Sequence, residues 1–292
     1  MHLSLVALMA LMAVAWRWRW RPIQSTWTAR WQAAWVAFCL PPLLVLAGAM
    51  AVLIMGHHGT MLGRTVSPLG CCLSLAILAL AVGAASCSLV QLLWLDLKLR
   101  QYPQTTLPSG KTARLMETSV PLAAQVGLWR SALLLSRGVL DTLTPTEQQV
   151  ILHHEEAHAH YRDSLWFWGL GILRRFSVWL PRTQDLWQEL LLLREIRADR
   201  WAAQQAEPLL IAELLVKLSQ ARLSKTHLPD LPGLGFNHGT SLDRLEQRVE
   251  ALLNSDNEWG PDNEWGRGPA QTVGRGAWLW IGIPLVAIWL HT

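Results

Sequence analysis

The sequence predicts a mainly α, multi-pass membrane protein: about four transmembrane helices and a polar α+β domain carrying a small β-sheet. Three observations predict it. The 292-residue chain is 51% hydrophobic and 16% charged, with a mean hydropathy of +0.22, whereas soluble domains carry about a quarter charged residues. Two runs, 33–55 and 70–95, hold no charge over 23 and 26 positions, and a hydrocarbon core of ~30 Å needs about 20 such residues in a helix. Polar residues concentrate instead between 96 and 276, where the apolar runs are short and punctuated.

The membrane elements come first. Segments 33–55 and 70–95 are long enough to span, and Pro41-Pro42 predicts a kink in the first. Two terminal segments of 14 residues, 3–16 and 277–290, are read as further spans. The first is flanked by alternating Trp16, Trp18, Trp20 and Arg17, Arg19, Arg21, an interfacial pattern of amphipathic rings and snorkelling cations. A signal peptide would carry its positive charge before the apolar core, not after it. For 277–290 the alternative is an apolar helix packed on the domain. Arg17, Arg19, Arg21 and Arg30 lie between spans one and two, only Arg64 between two and three, and Lys98 and Arg100 after three. The positive-inside rule then predicts a multi-pass protein with a cytoplasmic polar domain. The pI near 9.1 is a topology signal. Acids and bases intermix in the polar domain, so no direct nucleic-acid partner is expected. Cys39, Cys71, Cys72 and Cys87 all fall in the apolar runs and read as packing residues.

The predicted organisation is therefore three N-terminal spans in 1–95, a working domain in 96–254, a polar linker in 255–276 and a last span in 277–290. Within the domain, 112–137 reads as two or three short strands or an extended hairpin, punctuated by Pro121, Gly127 and Gly138. Thr144-Pro145-Thr146-Glu147 starts a helix with a capping box and a proline in the first turn. Residues 165–180, apolar but interrupted by Arg174-Arg175, predict a helix buried in the domain or lying on the membrane surface. Helices follow at 185–205 and 208–223, then a Pro- and Gly-rich loop at 224–240 and an amphipathic helix at 241–253. The linker contains the pentapeptide DNEWG twice.

The chemistry concentrates in 151–163, ILHHEEAHAHYRD. On a helix His154 and His158, four apart, share one face, and both imidazoles can reach one ion. Glu155 lies about a quarter-turn aside, near enough to act as a base on a metal-activated water without being a ligand. This is an HExxH arrangement. His153 and His160 point away from it. Catalytic zinc takes three protein ligands, and Glu195, 37 residues past His158 on the next strong helix, is the candidate third. Asp199, one turn later, is placed to fix the tautomer of a ligating histidine. The alternative is that Glu195 and Asp199 only pair with Arg194, Arg197 and Arg200 on a wet surface. Asp163 could orient the HExxH helix, cap its end or meet Arg162. His238 could donate a hydrogen bond to a transition state, or be a loop histidine without a role.

HExxH followed by a helix with ExxxD resembles the gluzincin metallopeptidases. The stretch from Val120 through Asp163 is similar to membrane zinc peptidases of the BlaR/MecR type: Thr144-Pro145-Thr146-Glu147 fits their lead-in and Asp163 the last position of HExxHxxxxD. The related HtpX family shares HExxH and ExxxD, but its usual Asn-Ala-Phe lead-in is absent. The segment Leu242–Val249 resembles a later helix of that broader group. The resemblance implies a gluzincin-like peptidase domain, one Zn2+ per chain, and a topology of three spans, a cytoplasmic domain and a fourth span in a bacterial cell membrane. The BlaR/MecR sensor that follows the last span has no counterpart before Thr292, so only the peptidase half is implied.

The expected function is that of an integral-membrane zinc-dependent endopeptidase, with Glu155 as general base and His154, His158 and Glu195 as ligands. Its partners would be the lipid bilayer and a protein or peptide substrate, either a cytosolic repressor or membrane proteins; a homo-oligomer is left open. The alternative is a non-catalytic membrane signalling adaptor with a structural zinc site, in which His160 or another side chain closes the fourth position. A transporter is disfavoured, because the second and third spans hold no ionisable residue.

Overall fold

The structure is a computed structural model that describes residues 2–22, 26–56, 60–61, 64–65, 68–107, 110–128, 131–223 and 242–253. The DNEWG linker, the 277–290 segment, the 224–240 loop and His238 lie outside the described residues. Most of the described residues are helical, with one small mixed sheet, and the chain divides into two units. One holds residues 2–88 and 169–190 of the described chain, the other 89–168 and 191–253.

The first unit is built on apolar helices. The helix α1 (His2–Arg19) packs on α2 (Trp27–Met55), and α3 (Pro68–Gln101) begins in this unit. Among the described residues α2 and α3 are long and apolar enough to cross a membrane, by length and composition alone. They differ in environment: 67% of the apolar window of α2 is buried in protein, but only 11% of that of α3. The helix α2 starts where the Thr26 hydroxyl accepts from the Ala29 amide. Its tryptophans at i, i+4 spacing stack, Trp27 on Trp31 at 5.3 Å and Trp31 on Trp35 at 5.9 Å. Close approach of α1 needs Gly48, where a Cβ would stand 3.2 Å from the Met9 Cγ.

The prolines of α2 lie inside a helix that continues through both. A proline at 42 has no N–H for the carbonyl of residue 38. The fully buried Arg17 of α1 supplies the missing donor: its Nη2 gives a 2.8 Å bond to the Phe38 carbonyl, and its Nη1 reaches the Thr183 hydroxyl at 3.1 Å. One cation thus satisfies a backbone acceptor that the proline freed, where an unpaired polar group would cost several kcal/mol.

Residues 165–180 form most of α6 (Asp163–Phe176), followed by exposed Val178 and Trp179. Arg174, on the stretch of α6 that lies in the first unit, bonds Gln184 at 2.8 Å and lies over the Trp187 ring of α7 (Thr183–Ala203).

The second unit contains β3 (Gln104–Thr106), β4 (Thr112–Met116), β5 (Ala123–Val126) and β6 (Ala132–Ser136), in the order β3-β4-β6-β5. A two-residue pair, β1 (Thr60–Met61) with β2 (Arg64–Thr65), belongs to the first unit. The expectation of strands at 112–137 is met by three of them. The hairpin β5–β6 is antiparallel, but β6 inserts beside β4 in parallel, with Leu115 opposite Leu135. A strand in that central place is buried on both faces. Leu133 and Leu135 accordingly pack with Val150, Ile151, Ile211, Leu214 and Leu252 on one side. Leu134 packs with Leu95, Leu99, Leu122 and Val126 on the other.

After β6 comes the short α4 (Arg137–Thr142), capped by Ser136. A Cβ at Gly138 would lie 2.5 Å from the Ser119 carbonyl oxygen, and backbone there cannot yield cheaply. Gly138→Ala is expected to cost about 1–3 kcal/mol of stability, the usual scale for overpacking. Chemical unfolding of the purified chain checks this; an unchanged midpoint would remove the crowding argument.

Candidate metal centre

The helix α5 (Pro145–His160) carries the histidine cluster. Its start is fixed as the sequence predicts. The Thr144 hydroxyl accepts from the Glu147 amide at 3.3 Å, the Glu147 carboxylate accepts from the Thr144 amide at 2.7 Å, and Pro145 opens the first turn. Lys217 of α8 (Pro208–Leu223) also holds Glu147, at 2.8 Å. After Tyr161 the chain reverses through Arg162 at φ 53° and re-enters helix at Asp163. That turn brings the Asp163 carboxylate back to His158.

Three side chains converge. The Nε2 atoms of His154 and His158 are 3.1 Å apart. Glu195 of α7 brings Oε2 to 3.5 Å from the His154 Nε2 and Oε1 to 3.8 Å from the His158 Nε2. Tetrahedral zinc with ligand bonds of about 2.0–2.2 Å has donors roughly 3.3–3.6 Å apart. The observed separations bracket that edge, so the donor set fits a divalent cation in number, type and spacing. Among the described residues this is the one group of three or more such donors.

The other ring nitrogens are also held. His154 Nδ1 lies 2.9 Å from Asp199 Oδ1, and His158 Nδ1 lies 2.8 Å from Asp163 Oδ2. An ionised carboxylate only accepts, so each Nδ1 carries a hydrogen, and Nε2 is the ring atom left to face Glu195 and to bind a cation once it has no proton of its own. Both aspartates are in turn held by arginines. Arg248 of α9 (Leu242–Leu253) grips Asp199 with two bonds of 2.7 and 2.8 Å. Arg197 bonds Asp163 and lies over the Tyr161 ring at 3.9 Å. Arg194 holds Glu195 Oε1 at 2.6 Å and lies over Phe167 at 4.8 Å. The pattern arginine–aspartate–histidine therefore occurs twice, once for each imidazole.

Burial favours neutral carboxyls, but these guanidiniums reverse the outcome. Arg194 holds Glu195 well below the usual carboxylate range, and Arg197 and Arg248 lower Asp163 and Asp199. Three of these carboxylates, Asp163, Glu195 and Asp199, are each matched by a guanidinium, and His154 responds to the two that it faces. Burial pushes its imidazole down, yet Asp199 and Glu195 more than offset this and hold it up at about 10. The site favours a positive charge at the place where the three donors meet.

A pH dependence follows for the chelator-treated chain. The raised His154 stabilises the fold fully below its unfolded pKa of 6.5, and this contribution is lost as pH rises through about 10. The depressed Asp163, Glu195 and Asp199 contribute above the ordinary carboxylate range and lose their effect as pH falls below it. Melting temperature should therefore decline from pH 6.5 toward 10, and Asp199→Asn should flatten that decline. A flat profile in the unsubstituted chain would contradict the assignment.

Each predicted residue can now be placed. His154, His158 and Glu195 come together, and Asp199 and Asp163 both back them. Glu155 is buried, with its Oε2 lacking any hydrogen-bond partner. Glu195 and Asp199 do meet arginines, but in the interior, so the wet-surface alternative does not hold. His153 bonds Glu156 at 2.9 Å, and His160 stacks on Trp201 at 4.7 Å. Sequence reasoning missed Arg248. The signal was present: it occupies an apolar-face position of α9, three residues after Leu245 and four before Leu252, both on the inward side.

No protein-family model matches the chain, and no curated protein matches it.

Proposed function

We propose that the chain is an integral-membrane, zinc-dependent endopeptidase with a gluzincin-like domain on the cytoplasmic side. The observation that carries this reading is the convergence of His154, His158 and Glu195, each imidazole turned inward by a buried carboxylate. The resemblance to the BlaR/MecR peptidases supports the same assignment. A bound divalent cation would polarise a scissile carbonyl and make water nucleophilic near neutral pH.

The chain's own groups would do the rest. The Glu155 carboxylate takes the proton from the attacking water at its unpartnered Oε2 and returns it to the leaving amine. Asp163 and Asp199 keep the imidazoles in one tautomer throughout, and the arginines keep those aspartates ionised. The edge strand β5 offers backbone on which a substrate segment can add as a further strand. One of its carbonyls, at Gln125, already accepts from the Ser164 hydroxyl at 3.1 Å. A cytosolic repressor and membrane proteins are the two substrate classes that this placement serves.

A structural site was the other reading, with His160 or another side chain as a fourth ligand. His160 packs its ring against Trp201, and among the described residues the donor group holds His154, His158 and Glu195 alone, which favours the catalytic reading. The test is metal removal. Purified chain in detergent should cleave an unstructured protein such as casein, lose at least about 100-fold of that rate on chelation, and regain it with stoichiometric zinc. Cleavage that survives complete chelation would refute the proposal.

A further inference from the structure

The alternating Trp-Arg run at the end of α1 has a partner surface on α2. A cavity of about 630 Å³ lies between them, with Trp16, Arg19 and Trp20 on one wall and Gln32, Ala33 and Val36 on the other. The α2 side offers small and branched apolar side chains at i, i+3 and i+4 spacing, a smooth floor on one helix face. The rim is polar and unsatisfied. Among the described residues Arg19 and Gln32 have no hydrogen-bond or ion-pair partner, and the buried Trp20 indole N–H has no acceptor. The neighbouring arginines are used otherwise: Arg17 is buried on Phe38 and Thr183, and Arg21 donates to the backbone carbonyls of Trp18 and Trp20.

We propose that this cavity is a specific site for one anionic phospholipid of the cytoplasmic leaflet. A phosphodiester supplies acceptors for the Arg19 guanidinium and the Gln32 amide, and the attached acyl chain covers Ala33 and Val36. A soluble anion would leave that apolar floor wet. A zwitterionic lipid brings the same phosphodiester with its own ammonium beside it, which offsets part of the attraction to Arg19. The position of Arg19 at the end of an apolar helix, in a tryptophan-rich collar, is where headgroup phosphates lie. The proposal rests on reading α1 and α2 as membrane-embedded, and is independent of the peptidase chemistry.

The full chain in mild detergent is titrated with phosphatidylglycerol or phosphatidylcholine, and the bound lipid is counted by native mass spectrometry. One phosphatidylglycerol should bind about tenfold more tightly than phosphatidylcholine. Arg19→Gln should weaken it about tenfold, the scale of one charge-assisted bond, while Arg21→Gln should change it less than about twofold. Ala33→Leu fills the floor without changing charge and should also weaken binding; it carries the test if Arg19→Gln does not yield a monodisperse protein. Equal losses from Arg19→Gln and Arg21→Gln would mean diffuse surface attraction and overturn the site. Displacement of the lipid by millimolar inorganic phosphate would overturn it in favour of a soluble anion. Recovery of the chain in the soluble fraction without detergent would refute the membrane reading itself, whereas equal affinity for the two lipids in a detergent-dependent chain would refute only the site.

Discussion

Glu155→Gln is expected to keep one zinc per chain and to lose proteolysis by about 10²–10⁴-fold, the usual weight of a general base. The substitution is nearly isosteric and leaves all three metal donors and both aspartates in place. The amide cannot take up a proton, so the step lost is proton transfer alone. Its oxygen and nitrogen can occupy the volume of a buried carboxylate whose Oε2 has no partner, so folding should survive. Two readouts are therefore needed together: metal content by atomic emission and cleavage rate. Unchanged cleavage would exclude Glu155 as the base. Loss of the metal along with activity would show instead that Glu155 holds the centre together. With zinc retained, the same variant should trap a protein substrate and reveal which class it serves.

Arg248→Met should destabilise the chain by about 3–5 kcal/mol, the scale for removing one partner of a buried ion pair. The cause is Asp199. Its carboxylate has essentially no exposure and accepts two bonds from the Arg248 fork, while Glu195 Oε2 lies 3.5 Å from the same guanidinium. Removing the cation leaves the Asp199 charge in the interior without its guanidinium and takes from Glu195 one of its two neighbouring arginines. Added zinc should recover part of the loss, because a divalent ion supplies positive charge at the same place, and ligand binding stabilises by mass action. Denaturant unfolding with and without zinc measures both effects. A loss below about 1 kcal/mol would show that the arginine is dispensable. The double substitution Arg248→Met with Asp199→Asn should cost less than the two single ones added, since the stranded charge is then gone.

Much of this centre was legible along the chain. The spacing of His154 and His158 needs only a helix, and Thr144, Pro145 and Glu147 make that helix start in one place. Glu195 and Asp199 follow from the same periodicity, one turn apart on a second strong helix. What spacing could not give was the distance between the two helices, since 37 residues of intervening chain can take many paths. Nor could it choose among the roles open to Asp163. That choice was made by a reversal at Arg162 in a left-handed conformation, which a non-glycine residue adopts only under local compulsion.

The same division holds for the rest of the fold. Uncharged length alone marks α2 and α3 as long and apolar enough to cross a membrane, because that is a property of consecutive residues. The strands at 112–137 were visible as short apolar runs, but their order was not: a parallel partner for β6 in β4 is a long-range choice made by burial on both faces. Arg17 and Arg248 show the limit most clearly. In the sequence Arg17 reads as an interfacial cation and Arg248 as one residue of an amphipathic helix. In the structure one completes a helix that a proline left short of a donor, and the other holds the aspartate behind His154. A charged side chain is buried only when something distant in sequence matches it, and only the folded chain brings that partner within reach.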